Sequence, residues 1–236
     1  MVVNAFCKLE EIFDVKRICC YLPLLSMFVI VPFAHGQAGV DIAIGFGAAH
    51  DKANSGGIDN ASSPNAYGAC TPGSGDTYCQ SLPALSGFFL GFGGDIMFKQ
   101  KYGFGMEANI EPSRSNYGPL LSRETFVDFN GVYAPVSQKR FSLQLQGGIG
   151  FARTSFAVNE SECVGSVVCS SATEPVGNAS HFQVHFGAGV QIYVTEHLFI
   201  RPQFDLHYVP GLTNQFGSNL VPAGTIWIGY NLGHGQ

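Results

Sequence analysis

The residues of this chain whose types fit chemistry are carboxylates, histidines and an arginine that recur at every second position of apolar segments. Between residues 200 and 208, for instance, Arg201, Asp205 and His207 alternate with apolar side chains. Side chains of a β-strand alternate between the two faces of the sheet, so these polar groups are expected to share one face. Nine residues of this kind are predicted to line one polar interior: Asp41, Asp95, Glu107, Glu111, Asp128, His185, Arg201, Asp205 and His207.

This polar set has two interpretations. A structural network of ion pairs and hydrogen bonds is predicted, with Arg201 as its central counter-ion, because buried charges require partners. The alternative is a path for cations or protons, with Arg201 as its gate. A metal site is not predicted, because His181 and His185 would lie about 13 Å apart on a strand. No catalytic residue and no cofactor are expected either.

The elements that carry these residues are predicted to be strands throughout. No segment after residue 36 shows a sustained apolar period of 3.6, whereas a period of two recurs eight times. The eight predicted strands cover about residues 40–46, 88–98, 104–111, 127–133, 141–151, 182–194, 200–208 and 226–232.

The connections between these strands alternate between long and short. The short ones are predicted at 99–101, 135–140 and 195–197, and the long ones, rich in Ser, Asn, Gly and Pro, at 51–84, 112–123, 157–180 and 210–222. Short turns at one end and long loops at the other are typical of outer-membrane barrels. The chain termini and the short turns are accordingly expected to face the periplasm, and the long loops the exterior.

Large Phe, Ile and Leu residues on one face of every strand predict that this face meets lipid. A narrow barrel holds few large side chains inside, and the opposite face mixes Gly and Ala with hydrogen-bonding residues. Lipid offers no hydrogen-bond partners, so the sheet must close. The predicted fold is an all-β, antiparallel, up-and-down transmembrane β-barrel in a bacterial outer membrane. Its interfacial aromatic girdles are predicted to contain Phe98, Tyr102, Tyr133, Phe141, Tyr193, Phe199 and Tyr208.

The first 36 residues are predicted to be a signal peptide, and residues 37–236 the barrel. Lys16 and Arg17 precede an apolar run at 21–33, and the small residues Ala34 and Gly36 follow it. The run is short for a transmembrane helix and contains two prolines, which argues against a membrane anchor.

Four of the seven cysteines lie beyond the predicted signal peptide. An even number in an exported chain predicts disulfides, and the pairing closest in sequence is Cys70 with Cys79 and Cys163 with Cys169. Zinc ligation is the weaker alternative, because neither spacing is of the short C-x-x-C type and no histidine lies close to either pair.

Two strand–turn–strand units, GDIMFKQKYGFG at 94–105 and YVTEHLFIRP at 193–202, resemble those of the OmpA/OmpX-like outer-membrane β-barrel family. The resemblance covers about residues 37–233 and is one of pattern rather than of a catalytic motif. It implies a small barrel of eight strands.

The predicted function is a structural or surface-binding role without catalysis, carried out by a monomer in contact with outer-membrane lipid. The long loops are the expected place for an extracellular ligand. A net charge of −5 argues against nucleic-acid binding. A narrow porin-like channel is the first alternative.

A lipid A-modifying enzyme is the second alternative. The stretch DLHYVPGLTN at 205–214 resembles part of the lipid A deacylases. That resemblance requires a serine two residues after the histidine, where this chain has Val209, so the nucleophile is missing from its position.

Overall fold

The structure is a computed structural model that describes residues 38–53, 57–58, 69–70, 80–81, 84–99, 101–118, 120–164 and 168–233. The predicted signal peptide at 1–36 lies outside this range. Among the described residues, no helix has the length and apolar character needed to cross a membrane.

Twelve strands are described. They are β1 (Ala38–Asp51), β2 (Gly57–Ile58), β3 (Ala69–Cys70), β4 (Gln80–Ser81), β5 (Leu85–Phe98), β6 (Tyr102–Ile110), β7 (Ser115–Tyr117), β8 (Leu120–Ser137), β9 (Phe141–Val164), β10 (Val168–Tyr193), β11 (Leu198–Tyr208) and β12 (Leu220–Asn231). A single turn of 3-10 helix at Leu212–Asn214 interrupts the connection between β11 and β12.

Eight of the described strands form one closed antiparallel wall. Each long strand pairs with the next one along the chain, and β12 returns to pair with β1, for example at Phe46 opposite Ile226. The pairing of β6 with β8 closes the circle. The predicted eight-stranded, up-and-down topology is therefore confirmed. Within the described residues, β2, β3 and β4 form a separate small sheet and β7 pairs only with β8, so neither adds strands to the wall.

The outward side of the wall is apolar, as predicted. Phe104 is 70% exposed, Ile44 58% and Phe92 55%, and comparable side chains stand on every strand of the wall. Their inward neighbours at alternate positions are buried, as in β11, where the burial pattern alternates along its length. Because the closed sheet satisfies its own backbone hydrogen bonds, this apolar surface can face lipid. A barrel with such a wall can span a membrane. Its two ends are here called the short-turn end and the long-loop end.

The predicted girdle is partly wrong. Phe98, Tyr102 and Tyr133 are exposed, as are Phe141 and Tyr208. Phe199, by contrast, is fully buried inside the barrel and packs edge-on against Tyr193. The interior accepts these rings because Gly229, directly opposite Phe199 in the register, has no side chain to occupy the same space.

The third predicted loop, at 157–180, is also wrong. β9 continues to Val164 and β10 begins at Val168, so most of this segment is a paired extension of the two strands. The pairing is continuous except for a bulge between Pro175 and Gly177. From Arg153 to Val164 the extension measures about 37 Å at about 3.4 Å per residue. The third connection is therefore a projecting β-hairpin, here called the β9–β10 hairpin.

Candidate functional site

The centre of the barrel interior is an arginine held by two carboxylates. Arg201 on β11 donates from Nη1 to Asp95 Oδ2 and from Nη2 to Glu107 Oε1, each at 2.7 Å. A third bond runs from Nη1 to Gln144 Oε1 at 2.7 Å. Arg201, Asp95 and Glu107 are all 1–2% exposed. A buried guanidinium of this kind joins strands from opposite sides of the barrel through charge-assisted hydrogen bonds.

A single tryptophan lies against this arginine in a slot made by glycines. The ring of Trp227 is 5.5 Å from the Arg201 guanidinium carbon and is fully buried. A Cβ added at Gly45 would lie 2.7 Å, and one at Gly91 2.6 Å, from ring atoms of Trp227. Only glycine leaves room for an indole at these two positions, so the Gly-rich segments of β1 and β5 serve to accommodate Trp227.

The amide of Gln203 connects this centre to a layer that contains His185. Gln203 Nε2 donates to Glu107 Oε2 at 2.9 Å and to Asp205 Oδ1 at 2.7 Å. The same Asp205 oxygen lies 3.0 Å from His185 Nε2, while His185 Nδ1 lies 2.8 Å from Asn130 Oδ1. Both ring nitrogens of His185 therefore face acceptors, which fixes the ring within the network.

His207 and Asp128 form the next polar layer toward the long-loop end. The His207 ring stacks between His185 and Phe126, with centroid distances of 4.8 Å to each. Its Nδ1 lies 3.7 Å from Asp128 Oδ2, and neither of these buried atoms has a hydrogen-bond partner among the described residues. Asp128 Oδ1 accepts a bond from Gln183 at 2.6 Å.

Two groups of interior residues have ligand atoms close enough to surround a metal ion. One is Asp128, His185 and His207, and the other is Glu107, His185 and Asp205. Both groups need His185, whose two nitrogens already face Asn130 and Asp205. A metal would have to displace one of these hydrogen bonds. The arrangement is therefore that of a packed polar network rather than of an open coordination site.

Asp41 lies in a separate layer toward the short-turn end. Its Oδ2 accepts a bond from Gln191 at 3.0 Å, and Asn231 donates to Oδ1. Gln191 in turn accepts a bond from Gln144 at 2.6 Å, which leads back to Arg201. Asp41 thus joins the central network through two amide side chains.

Glu111, although predicted with the central set, lies apart from it near the long-loop end. Its carboxylate accepts bonds from the Ser115 hydroxyl and from the backbone N–H of Glu124. Lys99 is exposed in a short turn, and His181 bonds to Gln215 at 3.1 Å at the opposite end. Eight of the nine predicted interior residues therefore meet in one connected network, and Glu111 does not.

The predicted cysteines lie at the long-loop end. In the pairing of β9 with β10, Cys163 and Cys169 are directly opposite each other. Cys70 is the last residue of β3, and Cys79 lies outside the described residues.

Apolar side chains close both ends of the polar network. At the long-loop end, segment 209–216 folds back over the barrel and packs into a buried group, here called the loop-end apolar cluster. Its buried members are Ala49, Leu85, Phe89, Tyr117, Leu120, Phe126, Ala152, Val209, Leu212, Phe216, Val221 and Ala223. At the short-turn end, Ala43, Phe199 and Trp227 form a smaller cluster with Tyr193.

Tyr117 anchors segment 209–216 to the wall. Its hydroxyl donates to the backbone carbonyl of Gln215 at 2.5 Å, and its ring packs against Phe216. Burial raises the pKa of Tyr117 well above its ordinary value, so the hydroxyl keeps its proton at any physiological pH. Segment 209–216 is thus held by a hydrogen bond whose donor does not lose its proton in the normal pH range.

The interior also contains amides, a threonine and a tryptophan that were not among the predicted residues. They lie on the same alternating face as the predicted residues, which is the signal that could have found them. The prediction covers only charged groups and histidines, although amides provide most of the connections between them. The omitted members are Asn130, Gln144, Gln146, Gln183, Gln191, Gln203, Thr225 and Trp227.

No family model matches the chain, and no curated protein matches it either. Several solved structures share the barrel architecture. Ail, the attachment invasion locus protein of Yersinia pestis, solved with the heparin analogue sucrose octasulfate, is 12% identical, covers 83% of this chain and 99% of its own, and gives a TM-score of 0.45. Neisserial surface protein A is 11% identical over 83% and 98% of the two chains, with a TM-score of 0.46.

The outer membrane protein OprG from Pseudomonas aeruginosa is 15% identical over 84% of this chain and 98% of its own, with a TM-score of 0.45. Independently of these similarities, the closed antiparallel sheet, its apolar outer wall and its packed polar interior give this chain the architecture of a transmembrane β-barrel.

Proposed function

We propose that this barrel is a non-conducting, non-catalytic protein of the bacterial surface, in which the membrane-spanning wall supports a binding surface at the long-loop end. The long loops face the exterior in this proposal, as the alternation of long and short connections predicts. The observation that carries the proposal is the filled interior, in which polar layers bond to one another and apolar clusters close both ends.

The filled interior argues against the channel alternative. A solute entering from the long-loop end would meet the loop-end apolar cluster, whose members Val209, Leu212 and Phe216 are 0–1% exposed. Beneath it, Arg201 is held by three hydrogen bonds of 2.7 Å. Moving this guanidinium aside would leave two buried carboxylates without a cation, which costs several kcal/mol.

The position of His207 argues against the enzyme alternative. A lipid-modifying site must meet lipid at the outer wall, whereas His207 is 2% exposed and stacks on His185 inside the barrel. Val209, which occupies the position of the expected nucleophile, is fully buried in the loop-end apolar cluster. Valine has neither a hydroxyl nor a thiol, so this position lacks the nucleophile that hydrolysis of an acyl ester requires.

The β9–β10 hairpin favours a surface-binding role. It projects beyond the apolar part of the wall, and its described side chains from Ala172 to Asn178 are exposed. A paired hairpin loses less conformational entropy on binding than an unstructured loop of the same length. It is therefore the element of the long-loop end best suited to hold a partner.

Conductance in a planar lipid bilayer tests the central claim. The purified barrel, shown to be folded by its faster migration before boiling, is expected to give no discrete current steps. A porin reconstituted in the same lipid serves as the positive control. Reproducible steps whose size follows the salt concentration would contradict the proposal and support the channel alternative.

A further inference from the structure

Three arginines, Arg114, Arg123 and Arg153, lie around Ser155 on the outer wall near the long-loop end and are here called the arginine patch. In the register of β8 with β9, Arg123 is opposite Ser155, and Thr125 is opposite Arg153. Arg114 donates from Nη1 to the backbone carbonyl of Ser155 at 3.3 Å. Diagonal neighbours on one face of a sheet are about 7–8 Å apart, so Arg123 and Arg153 can reach the same small anion.

Within the part of the chain that the structure describes, no carboxylate forms an ion pair with the arginine patch. The ion pairs found there all join side chains of the barrel interior. Nε of Arg123 is buried and has no hydrogen-bond partner in this part of the chain. In a protein whose net charge is −5, three adjacent guanidinium groups of this kind form a local site for a negatively charged ligand.

A groove of about 550 Å³ opens beside the arginine patch. It exists because β10 bulges at Val176, where Pro175 pairs with Ala157 and Gly177 with Phe156, so one residue stands out of the pairing. Besides two arginines, the groove offers two hydroxyls and an amide as donors. Its lining is Arg114, Thr125, Arg153, Ser155, Phe156, Pro175, Val176, Gly177 and Asn178.

The groove lies where the apolar wall ends. Two residues before Arg153 on the same face is Phe151, which is 43% exposed and stands opposite Phe182, itself 57% exposed. Val127 is opposite Phe151 on the other side. The outward face of β9 thus changes from an exposed aromatic ring at Phe151 to a guanidinium group at Arg153, two residues further along the strand. This is the height at which lipid headgroups meet the barrel.

We propose that the arginine patch binds a phosphate group of an anionic glycolipid of the outer leaflet, whose acyl chains then lie along Val127, Phe151 and Phe182. Arginine binds phosphate through paired N–H donors, and three guanidinium groups satisfy several phosphate oxygens at once. A lipid fits better than a free anion, because the apolar wall begins directly beneath the charges. This inference rests on the orientation given in the proposed function, with the long loops at the cell surface.

The double variant Arg114→Gln/Arg153→Gln tests the inference. The refolded barrel is titrated in detergent with bisphosphorylated lipid A, and binding is followed by native mass spectrometry. We expect the double variant to bind at least about tenfold more weakly, since each substitution removes charge-assisted hydrogen bonds. The variant should still migrate faster before boiling, because Arg153 is exposed and Arg114 is only partly buried, so neither substitution empties the packed interior.

Lys139→Gln/Arg140→Gln is the matched control, because it removes the same two positive charges from an exposed turn at the other end of the barrel. It should bind like the wild type. Lipid A without phosphates should bind the wild type as weakly as bisphosphorylated lipid A binds the double variant. The inference is overturned if the double variant binds like the wild type, or if the phosphate-free lipid binds equally well.

Inorganic phosphate distinguishes a lipid site from a simple anion site. We expect it to compete only at concentrations far above those of the lipid, because it gains nothing from the apolar wall. Competition at equal concentration would overturn the lipid assignment. Because binding is measured on the purified barrel, a negative result here leaves the conductance result of the proposed function independent.

Discussion

At the scale of single residues, the guanidinium of Arg201 provides the positive charge that two buried carboxylates require. Asp95 and Glu107 come from neighbouring strands β5 and β6, while Arg201 reaches them from β11 across the barrel. Each of these groups is at most 2% exposed, so water cannot compensate for a missing partner. A buried pair that loses one member leaves an uncompensated charge, which is far more costly than the pair itself is favourable.

We expect Arg201→Ala to lower the free energy of unfolding by about 3–5 kcal/mol, because Asp95 and Glu107 would be left without a cation. Urea unfolding in lipid vesicles measures the change. The fluorescence of Trp227, the single tryptophan of the chain and fully buried, reports the transition. The exposed Arg140→Ala serves as control and should stay within about 0.5 kcal/mol of the wild type.

A triple variant separates lost charge from lost packing. Arg201→Met combined with Asp95→Asn and Glu107→Gln keeps much of the volume and removes all three charges. It should recover a large part of the lost stability, since a neutral interior has no uncompensated charge. If the triple variant is as unstable as Arg201→Ala, the packing around Trp227, rather than the charge, causes most of the loss of stability.

At the scale of elements, the β9–β10 hairpin is the longest part of the wall that leaves the membrane. Its pairing brings Cys163 opposite Cys169, close to the tip. Directly opposed residues in antiparallel strands have Cα atoms about 4.5 or 5.5 Å apart, and both distances fall in the range that disulfides occupy. A bond there would close the tip of the hairpin covalently.

We expect these two cysteines to be oxidised in the exported protein. In a Cys70→Ser/Cys79→Ser background, iodoacetamide should add no mass to the barrel unless a reductant is supplied first, after which two adducts appear. Labelling of both thiols without reductant would show that the opposed register does not produce a disulfide.

The strands of the wall were predictable because lipid imposes a strict alternation on them. β11, predicted from Ile200 to Tyr208, runs from Leu198 to Tyr208 in the structure. The extension of β9 and β10 gives no such signal, because no lipid faces it and its Ser, Thr and Asn residues carry no apolar alternation. Periodicity detects a strand only through the difference between its two environments.

Which side chains fill the interior was less predictable than which face of each strand points inward. Alternation places Phe199 and Trp227 on the inward face, but the prediction treats that face as polar. Whether a ring fits inside depends on what stands opposite, and only the register reveals that Gly45 and Gly91 leave space for the indole. Three-dimensional neighbours of this kind are not adjacent in sequence, so a single sequence does not identify them.

At the scale of the whole molecule, the barrel is a closed interior with two differently shaped ends. The strands at the short-turn end are joined by connections of a few residues. The long-loop end carries segment 209–216, the small sheet of β2, β3 and β4, and the β9–β10 hairpin. Because the interior is filled, contacts with other molecules are left to the outer wall and to the long-loop end. The described segments outside the wall therefore lie mostly at the long-loop end, which is the proposed binding surface.

We expect cells that display the full barrel to adhere to a layer of cultured cells more strongly than cells with a shortened hairpin, because the hairpin is the paired element that projects from the long-loop end. The shortened variant joins Val158 to Glu174, which are opposite in the register, through Asn-Gly, a sequence suited to a two-residue turn. Equal amounts of heat-modifiable barrel in the two outer membranes provide the control. Equal adhesion of the two strains would show that the hairpin does not contribute to surface binding.

The way in which Arg201 is held also determines how this barrel can assemble. Its partners Asp95, Glu107 and Gln144 belong to β5, β6 and β9, so an open sheet that lacks any of these strands leaves charged groups facing the apolar core of the bilayer. A partly inserted sheet gains little until the last strands arrive, and insertion is then expected to be all-or-none. Two halves of the chain supplied separately would each carry an unmatched charge, which makes the ion pair a checkpoint for complete closure during membrane insertion.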